Sequence, residues 1–293
     1  MGEGERVTVR TLLRMKERGE RIVMVTAYDT PTARLVDEAG VDVILVGDSL
    51  GMVVLGLPST LQVTMDDMVR HTAAVARAGP RAMIVGDMPF MSYEHSVSEA
   101  VRNAGRLLSA GADAVKIEGG GSYADVIKAL TRAGIPVMAH VGLTPQKHKL
   151  LGGYRLIGKR AEEAIEVIEE AVGAEEAGAF AVVIEFTAWE VAKKITEKLS
   201  IPTICIGSGP YCDGQVLVIH DLLGLTPSPP PFAKRYADVA SVIRSAVRRY
   251  AEEVRAGVFP GPEHYWGMKR GEPERLEELL SGRGKTTPRG DSG

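Results

Sequence analysis

Apolar residues fall along this chain in short unbroken runs rather than in alternation with polar ones, the pattern of strands covered on both faces in a parallel sheet. Eight runs rich in Val, Ile and Met stand out: IVMVTAYD (22–29), VILVGD (43–48), AMIVGD (82–87), AVKIEG (114–119), VMAHVG (137–142), AVVIEF (181–186), TICIGS (203–208) and VLVIHD (216–221). Between most of them apolar positions return at helical spacing, in TPTARLVDEAG, MDDMVRHTAAVARAG, SVSEAVRNAGRLLSAG, SYADVIKALTRAG, RAEEAIEVIEEAVGAEEAG and WEVAKKITEKLS. Several of these close on the glycine that commonly follows a helix. Strand and helix in alternation imply parallel pairing through right-handed crossovers. Eight such units predict an α/β protein built as a closed (β/α)8 TIM barrel; a doubly wound open sheet is the alternative.

The interval GPYCDGQ between the seventh and eighth runs has only seven residues, short of the roughly 10 to 12 that a parallel crossover usually takes. Either VLVIHD is partly helical or this crossover is irregular. Helical patterns before the first run (TVRTLLRMKERG) and after the last (FAKRYADVASVIRSAVRRYAEEVRAG) are expected to pack around or cap the barrel, giving one domain over residues 1–266. The remainder, 267–293, is rich in Gly, Pro, Arg and Glu, has only the short periodic piece PERLEELL, and reads as a mobile tail without chemistry.

Composition changes the picture mainly by exclusion. With 45% hydrophobic and 25% charged residues the chain can bury a large core. Thirty-five basic against 38 acidic residues give a formal charge of -3, so no global field draws it to nucleic acid or an anionic membrane; Arg244, Arg248 and Arg249 read as a solvated helix face. The first 20 residues carry charges throughout and lack the apolar core of a signal peptide. No stretch approaches the roughly 18 apolar residues of a membrane span, and a cytoplasmic protein is expected. Cys205 and Cys212 have no metal-finger spacing and are expected to be ordinary thiols of a reducing compartment.

In barrel enzymes chemistry gathers at the C-terminal face, where the strands end. Here those ends are polar: Asp48, Asp87, Lys116 with Glu118, His140, Glu185, Ser208 and Asp221 close or nearly close the second to eighth runs. Asp29 and Asp221 read equally well as helix N-caps or as functional groups. Asp48, Asp87 and Glu118 come from three successive strands onto one rim, where their mutual repulsion demands protons or a cation. Three hard oxygen donors suit Mg2+, or Mn2+, better than Zn2+. Lys116 shares the inward face of its strand with Glu118, either as a salt-bridge partner or as a cation for an anionic substrate oxygen. Glu185, between Ile184 and Phe186, is a candidate general base if desolvation raises its pKa, with His140 as the competitor. The glycines of VGDSLG and KIEGGG match neither a dinucleotide fingerprint nor a P-loop, which sets a nicotinamide enzyme or NTPase aside.

At these residues the chain resembles the ketopantoate hydroxymethyltransferase family: TAYD (26–29), VGDSLGMV (46–53), ST (59–60), HTAAV (71–75), DMPFMSY (87–93), VKIEGG (115–120), HVGLTPQ (140–146), GGY (152–154), IGSG (206–209), DGQVLVIHD (213–221) and GVFPGPEHYW (257–266), in order from about residue 8 to 266. The resemblance implies a barrel of the phosphoenolpyruvate/pyruvate type. It implies transfer of a hydroxymethyl group from 5,10-methylenetetrahydrofolate to 3-methyl-2-oxobutanoate, giving 2-dehydropantoate for pantothenate and coenzyme A synthesis, through a metal-stabilised enolate. Carried over by motif, it implies metal ligands at Asp48, Asp87 and Glu118, substrate contacts at Asp48, Ser49, Asp87 and Lys116, and the proton acceptor at Glu185. One Mg2+ per subunit and a large homo-oligomer, commonly a decamer, are implied as well. A folate and a methanopterin donor are not distinguished by these motifs. IGSGPYCDGQ departs from the family at Ser208, Pro210 and Tyr211, where small residues are more usual.

Three other readings compete. A C–C lyase of the isocitrate lyase or phosphonopyruvate type would share barrel and metal but use a nucleophilic cysteine or phosphonate contacts. A Schiff-base aldolase would use Lys116 covalently. A non-catalytic assembly protein would keep the core and glycines without needing three acids on adjacent strand ends.

Overall fold

The computed structural model describes residues 5–150 and 152–283; residues 1–4, at the start of the charged N-terminal stretch, residue 151, and residues 284–293, at the end of the predicted tail, lie outside the described residues. Among the described residues the chain runs α1 (Val9–Glu17), β1 (Ile22–Thr26), α2 (Thr30–Glu38), β2 (Val43–Val46), α3 (Leu50–Val53), α4 (Met65–Ala76), β3 (Met83–Asp87), α5 (Val97–Ser109), β4 (Ala114–Glu118), α6 (Ala124–Arg132), β5 (Val137–Gly142), α7 (Ala161–Glu176), β6 (Ala181–Glu185), α8 (Trp189–Lys198), β7 (Thr203–Ile206), β8 (Gly214–Leu217), α9 (Ile219–Leu222), α10 (Val239–Arg255) and α11 (Glu272–Arg283). The strands close into a barrel in sequence order, β1 to β8 and back to β1, and every neighbouring pair is parallel. The expected TIM barrel is therefore the fold, and the open sheet is set aside.

Side-chain alternation along each strand builds two apolar layers. Met24, Val43, Leu45, Met83, Val85, Ala114, Met138, Val183, Ile204 and Val216 fill the barrel interior. Their sequence neighbours, among them Val25, Ile44, Ile84, Val115, Ile117, Ala139, Val182 and Ile184, pack outward in the second layer, which includes Met68 of α4, Leu107 of α5, Ile127 of α6 and Ile195 of α8. Both faces of the strands are thus apolar until the chain reaches its polar C-terminal ends. Local caps fix where helices begin: Asp29 accepts from the Thr32 N–H at 2.7 Å, so its cap reading holds, while Thr64 and Asp67 form a capping box on α4.

The eighth run is half strand and half helix. Pairing to β7 stops at Gln215 and pairing to β1 at Leu217, and Ile219–Leu222 turns into α9, which places Asp221 inside a helix turn rather than at its cap. The β7–β8 connection carries no helix. It is held instead by Asp213, whose Oδ2 accepts from the Thr203 backbone N–H (2.8 Å) and hydroxyl (2.9 Å) and pairs with Lys16 at 2.8 Å. A Cys205–Cys212 disulfide also closes it. The expectation of two ordinary thiols is thereby corrected: the tight return of the chain brings their Cα atoms to 5.7 Å, within bonding reach, a proximity invisible in a spacing of seven.

The chain divides into two compact units, Met1–Asp238 and Val239–Gly293, a boundary ahead of the expected one at residue 266. The second unit holds α10, in which Tyr250 meets Phe259 edge to face, and α11. The latter makes the PERLEELL piece part of a 12-residue helix, longer than the isolated periodic piece expected there. No helix among the described residues is long and apolar enough to cross a membrane.

Candidate active site

Sheet register assembles the site. Asp87 lies opposite Lys116 across β3 and β4, Glu118 opposite His140 across β4 and β5, and Gly142 opposite Glu185 across β5 and β6. In-register side chains of a parallel pair share a face, so these groups project together into the top of the barrel, one layer above Val85, Ala114, Met138 and Val183. Lys116 Nζ is 2.8 Å from Asp87 Oδ1, and His140 Nδ1 is 3.6 Å from Glu118 Oε1. Gly142 has no room for a side chain: a Cβ there would sit 2.1 Å from Thr187 Oγ1 and 2.5 Å from the Glu185 carbonyl, and its φ is +89°. His140, two residues earlier on the same face, brings Nε2 to 3.1 Å from Glu185 Oε2.

Asp48 arrives differently. Val43 and Leu45 point inward, and Asp48 breaks that alternation by sitting in the turn after β2, where its backbone N–H donates to Asp87 Oδ2 at 3.2 Å. The next residue, Ser49, places Oγ 2.9 Å from the Tyr28 hydroxyl. All five acidic and basic groups proposed from the sequence, Asp48, Asp87, Lys116, Glu118 and Glu185, therefore meet in one network with Ser49 at its edge. The glycines of KIEGGG are packing residues: a Cβ on Gly120 would lie 2.1 Å from the Glu170 carbonyl of α7. Ser208 braces the end of β6, donating to the Ile184 carbonyl (2.9 Å) and accepting from the Thr187 N–H (3.0 Å).

Electrostatics follow from burial. Asp48, Asp87, Lys116, Glu118 and His140 are all buried, and Glu185 is the most accessible of the network, with 17% of its side chain exposed. Desolvation, then the charge of Asp87, pushes the Asp48 carboxyl up to about 7. Desolvation, then Asp48, holds Glu118 well above the usual carboxylate range. Desolvation alone raises Glu185 to about 7, against the pull of Lys116. Burial works against the Lys116 ammonium, but Asp87, Glu118 and Asp48 together hold its pKa above that of an ordinary lysine. His140 is pushed well below the usual histidine value, first by burial and then by Lys116, and is neutral near pH 7. Lys116 Nζ lies 3.4 Å from His140 Nδ1 and an ammonium only donates. The imidazole proton is thus assigned to Nε2, facing Glu185, off the line of a straight hydrogen bond.

Three buried carboxylates share one ammonium, a charge excess that protons or a cation must balance. Among the described residues no group of three or more His, Cys, Asp or Glu side chains is drawn together closely enough to hold a metal ion. The oxygen donors fit an ion that takes some carboxylates directly and others through bound water, and fills the remaining positions with substrate, which is the habit of Mg2+.

Two polar residues of this layer were not singled out from the sequence. Gln146, from the turn Pro145–Lys147 after β5, donates from Nε2 to Asp48 Oδ2 at 2.9 Å and from its backbone N–H to Glu118 Oε2 at 2.8 Å. Tyr93 donates to Gln146 Oε1 at 3.0 Å. Both lie in quoted motifs, HVGLTPQ and DMPFMSY, but neither sits on a strand end, the signal used to find the others.

The chain is similar to known proteins. A family model described as Ketopantoate hydroxymethyltransferase matches residues 6–262. A protein named 3-methyl-2-oxobutanoate hydroxymethyltransferase from Hyperthermus butylicus is 76% identical over 281 residues, covering 96% of this chain and 98% of the relative. One of the same name from Staphylothermus marinus is 63% identical over 271 residues, covering 92% and 100%. Among solved structures, a phosphonopyruvate hydrolase complexed with oxalate and Mg++ superposes with a TM-score of 0.58 at 15% identity, covering 95% of this chain and 98% of that one. A 2,3-dimethylmalate lyase of the PEP mutase/isocitrate lyase superfamily gives 0.56 at 18%, covering 95% and 99%. At such identities the superpositions speak for the fold alone.

Proposed function

Because the chain belongs to the ketopantoate hydroxymethyltransferase family, we propose that it transfers a hydroxymethyl group from a reduced pterin carrying a methylene, 5,10-methylenetetrahydrofolate or its methanopterin counterpart, to 3-methyl-2-oxobutanoate. The product is 2-dehydropantoate, a precursor of pantothenate and coenzyme A. The observation that carries this reading is the pairing of a carboxyl raised to about 7, Glu185, with a buried acid trio on the opposite side of one barrel mouth.

Asp48, Asp87 and Glu118 would hold one Mg2+ per subunit, and Mn2+ in its place. When bound, the ion supplies Lewis acidity toward the carboxylate and ketone oxygens of the oxo acid. The chain's own residues do the rest. Lys116 offsets anionic charge on the substrate, and Ser49, Asp48 and Asp87 position it. Glu185, ionised above about pH 7, takes the C3 proton, and the freed C3 electron pair forms the new bond to the methylene carbon as that carbon's first bond to a pterin nitrogen breaks. A water then displaces the second nitrogen and supplies the hydroxyl oxygen, the C3 proton and one water proton passing to the two nitrogens. His140 stands with Nε2 3.1 Å from the Glu185 carboxylate and lines the pocket as a neutral imidazole. The apolar layer beneath the site excludes water from the deprotonated carbon.

Two rivals lose ground on specific features. A Schiff-base aldolase needs a neutral lysine, whereas Lys116 is held charged by three carboxylates. A lyase with a nucleophilic cysteine has no thiol to use, since the chain's two cysteines are joined to each other. Family membership also supports a cytoplasmic homo-oligomer, with a decamer as the expected size. The functional reading is tested by turnover of 3-methyl-2-oxobutanoate with a methylene donor, with and without Mg2+. Product formed only with the cation is expected, and no turnover with either donor would overturn it.

A further inference from the structure

Gln146 is 3% exposed, and its polar atoms are all engaged. Nε2 donates to Asp48 Oδ2 (2.9 Å) and to the Met88 carbonyl (3.0 Å), which uses both amide hydrogens. Oε1 accepts from the Tyr93 hydroxyl, and the backbone N–H reaches Glu118 Oε2. The amide has only one workable orientation, because a flip would set Oε1 against a carboxylate and a carbonyl and leave the Tyr93 hydroxyl facing an NH2 group. Tyr93 is itself anchored to β4, accepting from the Glu118 N–H and lying within 3.1 Å of the Glu118 carbonyl.

One neutral residue thus grips two of the three carboxylates, Asp48 through its side-chain amide and Glu118 through its backbone N–H. The grip is selective at the level of atoms: Gln146 occupies Asp48 Oδ2 and Glu118 Oε2, leaving Oδ1 and Oε1 free of it. A lysine or arginine at this place would neutralise the trio and compete with a cation. A glutamine donates hydrogen bonds while leaving the negative charge in place, as groups that orient metal ligands do.

We propose that Gln146 is the positioning residue whose side-chain amide presents Asp48 to a divalent cation, beside a Glu118 held by its backbone N–H, with Tyr93 setting the direction of the amide. This rests on the reading of the acid trio as a cation site. The test is a titration of the full chain with Mn2+ alone, followed by calorimetry and by the electron paramagnetic resonance of free Mn2+, with far-ultraviolet dichroism and a thermal melt to establish folding. The parent is expected to bind one Mn2+ per chain. Gln146→Met is expected to weaken binding by about 10- to 100-fold. Tyr93→Phe, which removes a single oxygen, is expected to weaken it by a smaller factor, and by less still when Gln146→Met is already present, since the amide it orients is gone. A role in packing alone would lower the melting temperature without moving the Mn2+ affinity of the folded protein. Unchanged affinity in folded Gln146→Met, or in Tyr93→Phe should the first variant fail to fold, overturns the inference and leaves the cation site standing. A parent that binds no Mn2+ overturns both.

Discussion

His140 Nε2 stands 3.1 Å from Glu185 Oε2, the imidazole entering from β5 and the carboxylate from β6. The contact gives His140 and Glu185 complementary roles. A neutral imidazole that keeps its proton on Nε2 turns the positive end of its N–H dipole toward the Glu185 carboxylate without a straight hydrogen bond and is a poor base toward substrate, so the two residues do not compete for the same task. Removing that dipole disfavours the ionised carboxylate and raises its pKa. His140→Leu is therefore expected to move the midpoint of the pH–rate profile for C3 proton removal above about 7, the value for Glu185 in the parent. A profile that keeps its midpoint would show that the contact does not act on the base.

The raised carboxyls also set the pH dependence of stability. Asp48 is raised to about 7 from 3.8 and Glu185 to about 7 from 4.5, so the folded protein binds protons that the unfolded chain releases. The stability they contribute is fully present below pH 4 and is lost as pH rises through 7. Metal-free protein is expected to melt higher at pH 5 than at pH 8, by on the order of 5 °C or more. Millimolar Mg2+ should raise the melting temperature at pH 8 more than at pH 5, since a cation replaces the missing protons. Equal melts at both pH values, with and without Mg2+, would count against a charge-stressed trio.

Lys116 and Asp87 form the buried ion pair of the network. Truncating one partner leaves the other buried and uncompensated, at about 3 to 5 kcal/mol. Lys116→Met is expected to lower the melting temperature clearly and to weaken oxo-acid binding. Asp87→Ala or Asp48→Ala is expected to weaken Mg2+ binding measured by calorimetry. An Asp48→Ala protein that binds Mg2+ and oxo acid as the parent does would remove Asp48 from the site.

The Cys205–Cys212 bridge closes the turn that carries Ser208 beside the end of β6. Thiol titration is expected to find no free thiol in the denatured, unreduced chain and two after reduction. Replacing both cysteines by serine should cost about 2 kcal/mol of stability, from the loop-closure entropy of a short loop. Two reactive thiols before reduction would show that the bridge does not form.

Much of this molecule was legible in its sequence, for reasons that also mark the boundary of such reading. Runs such as VILVGD and AVKIEG announce buried parallel strands because both faces are apolar, and the polar groups ending them, Asp87, Lys116, Glu118 and Glu185, follow directly from period-two alternation. Three features needed coordinates. Ile219 begins a helix where the pattern of VLVIHD continues as a strand, since an apolar run is equally at home in either element. Cys205 and Cys212 are brought together by a turn whose path no periodicity encodes. Gln146 reaches Asp48 from 98 positions away in sequence, out of a single turn after β5, so nothing local distinguishes it from an ordinary surface glutamine.

The central claim is that Glu185 removes the C3 proton of 3-methyl-2-oxobutanoate beside a cation held by Asp48, Asp87 and Glu118. It is tested most directly by following exchange of that hydrogen for deuterium by proton magnetic resonance, with the oxo acid and Mg2+ present and no pterin donor. The parent is expected to exchange in a Mg2+-dependent manner, and Glu185→Gln to bind the oxo acid nearly as the parent does while losing exchange by roughly 100- to 10,000-fold. Parental exchange in Glu185→Gln together with its loss in His140→Gln would transfer the base to His140, and unchanged exchange in both variants would contradict the account of this barrel mouth.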